Sequence, residues 1–258
     1  MIAIIFASFG AVDSNIRSRT IDAAANEIKI AFPTFEVRQA YTSNFTRRKL
    51  KLQGVEILSI KEQITVLKSD GFEKIIILPS HLTPGEEFEN KILPFASKNV
   101  TVLNPLFTLN CDTDFDKLSF KTVVDCFKTI GNEQLVLIGH GSPHRHNPVY
   151  ENLQKLADTQ NLKVHIGVIE STDTPNFDNV INRLNKTNVK GILLAPLLFN
   201  GGVHVNEDIA GDNNSWKSRL IEKNFSVRLC KEGLGTFEKF RQLYIKKLSN
   251  AINNLQNF

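Results

Sequence analysis

Residues Ile75-Ile76-Ile77-Leu78-Pro79 and residues Ile192-Leu193-Leu194-Ala195-Pro196 are one phrase written twice: an unbroken apolar run closed by proline. Each is followed by a loop that holds a glycine, Gly85 in the first and Gly202 in the second. A run this short, apolar on both faces, reads as a strand buried from both sides, as in a parallel sheet. Two further pairs keep the same order. Phe6-Ala7-Ser8-Phe9-Gly10 matches Leu137-Ile138-Gly139-His140-Gly141, each a strand ending in a glycine turn. The stretch from Glu36 to Ser43 matches the stretch from Lys163 to Ser171. Ordered self-similarity of this kind marks a duplicated unit.

Strands are therefore expected at 2–7, 35–41, 74–78, 100–103, 135–139, 164–170, 191–198 and 226–229. Amphipathic stretches separate most of them, such as 16–30, which puts Ile16, Thr20, Ala23, Ala24 and Ile28 on one helical face. The expected fold is α/β, with two similar three-layer α/β/α lobes, each holding a parallel sheet, around a central cleft. The lobes are expected at 1–130 and 131–235, with a final helix, 236–258, packing back on the N-terminal lobe.

Composition narrows the function classes. The 258-residue chain is 41% hydrophobic and 22% charged, which excludes a disordered tail, a collagen-like fibre and a small disulfide scaffold. Cys111, Cys126 and Cys230 form no C-x-x-C pair, against a zinc ribbon or a dithiol redox motif. A net charge of +4 gives no nucleic-acid signature. The one basic cluster, Arg47, Arg48, Lys49 and Lys51, reads as a solvated helix face. The strongly apolar stretch 191–199 is far short of the about 20 residues that cross a bilayer. Residues 1–11 lack a basic leader and read as a first strand, not a signal peptide. A cytoplasmic protein with no membrane or nucleic-acid partner is expected.

Ligands of open α/β sheets bind beyond the carboxyl ends of the strands. Three polar residues of the second half fall there: His140, Glu170 and His204. Their counterparts in the first half read as Phe9, Thr42 and Glu87. Gly139 and Gly141 leave the His140 ring unshielded, and His204 follows the bare loop Asn200-Gly201-Gly202-Val203. A carboxylate such as Glu170 after an apolar strand is costly unless a metal or a histidine meets it. His146 reads as part of an exposed loop, His81 as a residue of the opposite wall and His165 as core. Nucleotide and nucleophile motifs fail: Gly139-x-Gly141-x-x-His144 lacks its third glycine, and there is no phosphate loop, G-x-S-x-G elbow or H-E-x-x-H helix.

Several longer pieces occur in one order along the chain. They are Ser8-Phe9-Gly10, Arg19-Thr20-Ile21-Asp22-Ala23, Pro84-Gly85-Glu86-Glu87-Phe88-Glu89, Gly139-His140-Gly141-Ser142-Pro143-His144 and Val168-Ile169-Glu170-Ser171. The block His204-Val205-Asn206-Glu207-Asp208-Ile209-Ala210-Gly211-Asp212, with Ser215-Trp216-Lys217, completes the set. In these pieces the sequence resembles the anaerobic cobalt chelatases that act on sirohydrochlorin, which share the class II chelatase fold. The resemblance implies that His140, Glu170 and His204 hold the metal, that His140 also accepts a proton, and that Glu87 is an acidic residue of the facing lobe. It implies Co2+ as substrate metal, with Fe2+ and Ni2+ left open, a tetrapyrrole as partner in the reaction, and no nucleotide. Iron insertion by the same fold and a non-catalytic tetrapyrrole or metal carrier are the alternatives. The chain departs from the family pattern at Val203 and at Arg145-His146-Asn147-Pro148. The polycarboxylate substrate of that family makes Arg17, Arg19, Arg47, Arg48 and Arg145 rim candidates.

Overall fold

The computed structural model describes residues 1–256. Its first stretch runs β1 (Ile2–Ser8), α1 (Ser14–Arg17), a π-helical turn (Ser18–Asp22), α2 (Ala23–Ala31), β2 (Glu36–Tyr41), α3 (Asn44–Leu52), α4 (Ile60–Ser69), β3 (Lys74–Pro79), α5 (Glu86–Lys91) and β4 (Val100–Val102). Then come α6 (Asp114–Asp125), β5 (Gln134–Gly139), α7 (Val149–Thr159), β6 (Val164–Val168), α8 (Phe177–Leu184), β7 (Gly191–Pro196), a second π-helical turn (Val205–Ile209), α9 (Trp216–Glu222), β8 (Ser226–Leu229) and α10 (Glu238–Gln256).

The strands form two four-stranded sheets, ordered β2-β1-β3-β4 and β6-β5-β7-β8, with every pairing parallel. The two sheets thus share one topology, and their ladders continue past the strand ends in matching steps. Thr42 N–H donates to the Ser8 carbonyl as Ile169 N–H donates to that of Gly139. Ser43 N–H donates to Phe9 O as Glu170 N–H donates to His140 O. Phe9 is therefore the counterpart of His140, but the counterpart of Glu170 is Ser43, one residue beyond the Thr42 read from the sequence.

Helices cover both faces of each sheet. In the first, Ala3, Ile5, Ala7, Ile75 and Ile77 pack with Ile60 and Leu67 of α4 and with Phe88 of α5. Phe6, on the alternate face, meets Tyr244 of α10 edge to face at 6.0 Å. In the second, Val136, Ile138, Ile192 and Leu194 pack with α8, α9 and the second π turn. Each buried Ile, Leu or Phe contributes about 1.5–3 kcal/mol through apolar area removed from water. The single helix expected at 16–30 is interrupted by the first π turn. That turn rotates the buried face to Thr20, Ile21, Ala24, Ala25 and Ile28, in place of one through Ile16 and Ala23.

The chain divides into two units, one of Met1–Leu106 with the segment from Gly235, the other of Phe107–Leu234. The division lies upstream of Gly131 because α6 belongs to the second unit. Phe120 and Val123 of α6 are fully buried, and Asp116 accepts the Thr108 N–H at 2.8 Å and the Thr113 hydroxyl at 2.6 Å. Within the first unit, Tyr244 of α10 donates its hydroxyl to Ser80 O at 2.8 Å, and Arg241 grips the Glu27 carboxylate of α2. Among the described residues no helix is long and apolar enough to cross a membrane.

Candidate metal centre

The second unit builds its edge around Gly141. This residue has φ +80°, and a Cβ there would lie 3.1 Å from that of Glu170. Its lack of a side chain lets the end of β6 close on the turn after β5. His140 Nδ1 then lies 4.0 Å from Glu170 Oε1. The His204 ring meets the His140 ring edge-on, with centroids 4.6 Å apart. The structure thus brings together all three of these residues, with His140 next to both others. Their side chains are 40%, 31% and 53% exposed for His140, Glu170 and His204, so a ligand can reach each from solvent. Among the described residues no three His, Cys, Asp or Glu side chains already form a group that could hold a metal ion. The three are neighbours in an open arrangement, not a closed cage.

Two carboxylates that sequence reasoning passed over support this edge. Asp208 Oδ2 lies 2.8 Å from His204 Nδ1, which leaves Nε2 as the ring nitrogen facing a ligand. Carboxylate partners of this kind fix the tautomer and orientation of a metal-binding histidine. The i,i+4 spacing of His204 and Asp208 was the available signal. Asp173 is fully buried and accepts the backbone N–H of Ser142 and of Thr174, each at 2.8 Å, and that of Asn147 at 3.2 Å. His146 Nδ1 lies 2.7 Å from the same carboxylate, and its Nε2 lies 3.7 Å from Glu151. His146 is therefore tied to the loop's anchor and is not a free solvated side chain. Burial of Asp173 is tolerable because both its oxygens are met by donors.

The edge of the first unit differs at each matching position. Phe9, 50% exposed, stands where the second unit has His140. Ser43 is committed to capping α3, accepting the Thr46 N–H at 3.2 Å. Glu87 accepts the Thr42 hydroxyl at 2.5 Å and pairs with Lys91 at 2.9 Å. Burial, opposed by the nearby Glu87 charge, holds His81 down to about 4, so its ring is neutral near pH 7. Burial likewise holds His165 down to about 4, within β6, where its Nε2 meets Gln134. Of the arginines, Arg17 is spent on the Ala11 and Val12 carbonyls and on Asp22, and Arg47 on Glu62 and Asn44. A cavity of about 600 Å³ lies elsewhere in this unit, beside β2, lined by Asp22, Gln39, Glu56 and Gln63 among others, and by none of the edge residues named above.

Solved structures of chelatases have this fold. SirB from Bacillus subtilis with Fe3+ aligns with a TM-score of 0.63 at 15% identity, over 99% of this chain and 97% of that one. SirB from Bacillus subtilis subspecies spizizenii in complex with cobalt aligns at 0.59 and 13%, over the same shares. The fold is that of the class II chelatases. The family model described as cobalt chelatase (CbiK) matches residues 2–253, and the chain belongs to that enzyme family. Sirohydrochlorin cobaltochelatase of Salmonella typhimurium is 26% identical over 97% of this chain and 96% of its own length. Sirohydrochlorin cobaltochelatase CbiKC of Nitratidesulfovibrio vulgaris is 26% identical over 98% and 92%.

Proposed function

We propose that this chain inserts Co2+ into sirohydrochlorin, with His140, Glu170 and His204 delivering the metal. The observation that carries the reading is the meeting of two imidazoles and one carboxylate at a single sheet edge. The names of the two relatives supply the substrate. Insertion exchanges two pyrrole N–H protons for one divalent ion. The protein must therefore replace water around the metal, release the metal again and accept the protons.

Imidazole and carboxylate suit first-row divalent ions without the tight hold of thiolates, so a mixed set favours transfer over storage. His140 adjoins both other ligands and is assigned the first proton. A positioned imidazole contributes typically about 100- to 10,000-fold as a general base. Glu87, with its carboxylate held by Thr42 and Lys91, is assigned the second proton. The metal–nitrogen bonds that form supply the driving force, and no nucleotide is required.

The test is anaerobic absorbance spectroscopy of the purified chain with sirohydrochlorin and either Co2+ or Fe2+, with the uncatalysed rates subtracted. Faster turnover with Co2+ is expected. Faster turnover with Fe2+ would reassign the metal, and a spectral change that stops at one equivalent of protein would make the chain a carrier.

A further inference from the structure

Helix α3 carries its exposed residues in an orderly stripe. Phe45, Arg48, Lys49 and Leu52 are spaced i, i+3, i+4 and i+7, which puts them on one face, while Thr46 and Leu50 are buried. Phe45 is 66% exposed and Leu52 88%. Lys49 Nζ lies 5.1 Å from the centre of the Phe45 ring. Neither Arg48 nor Lys49 meets a carboxylate among the described residues. The stripe starts at the sheet edge, because Ser43, the α3 cap, donates its backbone N–H to Phe9 O. A merely solvated helix face explains the two cations but not Phe45 and Leu52, two large apolar side chains exposed on the same face at either side of them.

We propose that Phe9 and Phe45 receive the flat face of the tetrapyrrole and that Arg48 and Lys49 bind its carboxylates. This edge would then select the substrate, as the edge of the second unit handles the metal. The inference rests on the chelatase reading for the identity of the occupant. Complementarity commits it to that occupant. A conjugated polycarboxylate offers a π face to the aromatic rings and anions to the cations, and a purely anionic or purely apolar ligand would use half the stripe. From Phe45 to Leu52 the helix spans about 10 Å at 1.5 Å per residue, the scale of one macrocycle. Steering by exposed charges falls with salt, whereas contact with rings does not.

Metal-free sirohydrochlorin is titrated into the full chain at low and high salt, and kcat and KM are measured with Co2+. The variants are Phe45→Ala, the pair Arg48→Glu with Lys49→Glu, and the control pair Lys61→Glu with Lys68→Glu on α4. The α3 charge reversal is expected to weaken binding about tenfold at low salt and far less at high salt. Phe45→Ala is expected to weaken it about fivefold at both. Both should raise KM with kcat unchanged, and the control pair should do neither. Dissociation constants within about twofold of wild type for both α3 variants would overturn the proposal. If the wild-type chain turns over while the α3 variants are unchanged, this inference fails and the chelatase reading stands. If the wild-type chain binds the macrocycle without turnover, the chelatase reading fails, and the α3 effects on binding still decide this one.

Discussion

β1 ends in Ser8-Phe9-Gly10 and β5 ends in Gly139-His140-Gly141. Both turns place a glycine at positive φ, +102° for Gly10 and +80° for Gly141, and both strands sit second in sheets of one order. What differs is only what stands on the shared backbone. Phe9 corresponds to His140, Ser43 corresponds to Glu170, and Glu87 and His204 lie the same number of residues past their strands' closing prolines. The first unit spends Ser43 on a helix cap, and the second leaves the matching position to a carboxylate. A duplicated scaffold thus carries an aromatic, cation-rimmed edge in one unit and an edge of two histidines and a carboxylate in the other, through a few substitutions beyond the strand ends.

The sharpest way to break that comparison is His140→Ala. Insertion should fall by about 100- to 10,000-fold, the ordinary contribution of a positioned base, while binding of metal-free sirohydrochlorin survives. Full retention of insertion would move the base elsewhere, with His204 the next residue to test. Asp208→Asn sharpens the metal edge further. It should weaken Co2+ binding by about 10- to 100-fold, as loss of a carboxylate behind a histidine ligand does. A Co2+ titration followed by visible absorbance would read this, and an unchanged affinity would show that His204 needs no partner.

Thr42→Val tests the other edge. It removes the hydroxyl that donates to Glu87 and should lower kcat several-fold, with KM little changed. An equal change in both parameters would argue that Thr42 acts through packing.

The smallest effect concerns stability. His81 and His165 titrate at about 4 when folded, against 6.5 for an ordinary histidine. Between those values the unfolded chain binds more protons, so stability should rise with pH and be lost as pH falls from 6.5 towards 4. For the buried His165 this is on the order of 1–3 kcal/mol. Urea midpoints across the window should show the slope, and His165→Gln should flatten it. An identical slope in the variant would exclude His165 as its source.

The eight strands were legible because runs such as Ile75–Leu78 are apolar on both faces, a pattern that needs no knowledge of tertiary contacts. His140 and His204 stood out against bare glycine loops for a similar local reason. The equivalence of Glu170 and Ser43 was not legible, because register is set by hydrogen bonds between strands and Thr42 fits the sequence match equally well. The π turn at Ser18–Asp22 was hidden for a related reason: one added residue per turn leaves composition unchanged and moves only the face. Asp173 was out of reach, since its partners Ser142 and His146 lie a whole βα unit earlier in the chain. The compact units part at Leu106–Phe107, upstream of Gly131, because α6 groups with the second sheet, and a glycine-turn reading of local sequence carries no information on such tertiary grouping.

Asp173 also sets what can be transplanted. The Gly139–Asn147 turn and the segment carrying Glu170 share one acceptor, so neither is a portable part. Grafted alone onto another parallel sheet, the His140 turn would arrive with the Ser142 and Asn147 N–H groups unanswered, at about 1–3 kcal/mol for each that stays buried. The smallest module an engineer could move is the two loops together, discontinuous in sequence and anchored on the buried Asp173 carboxylate.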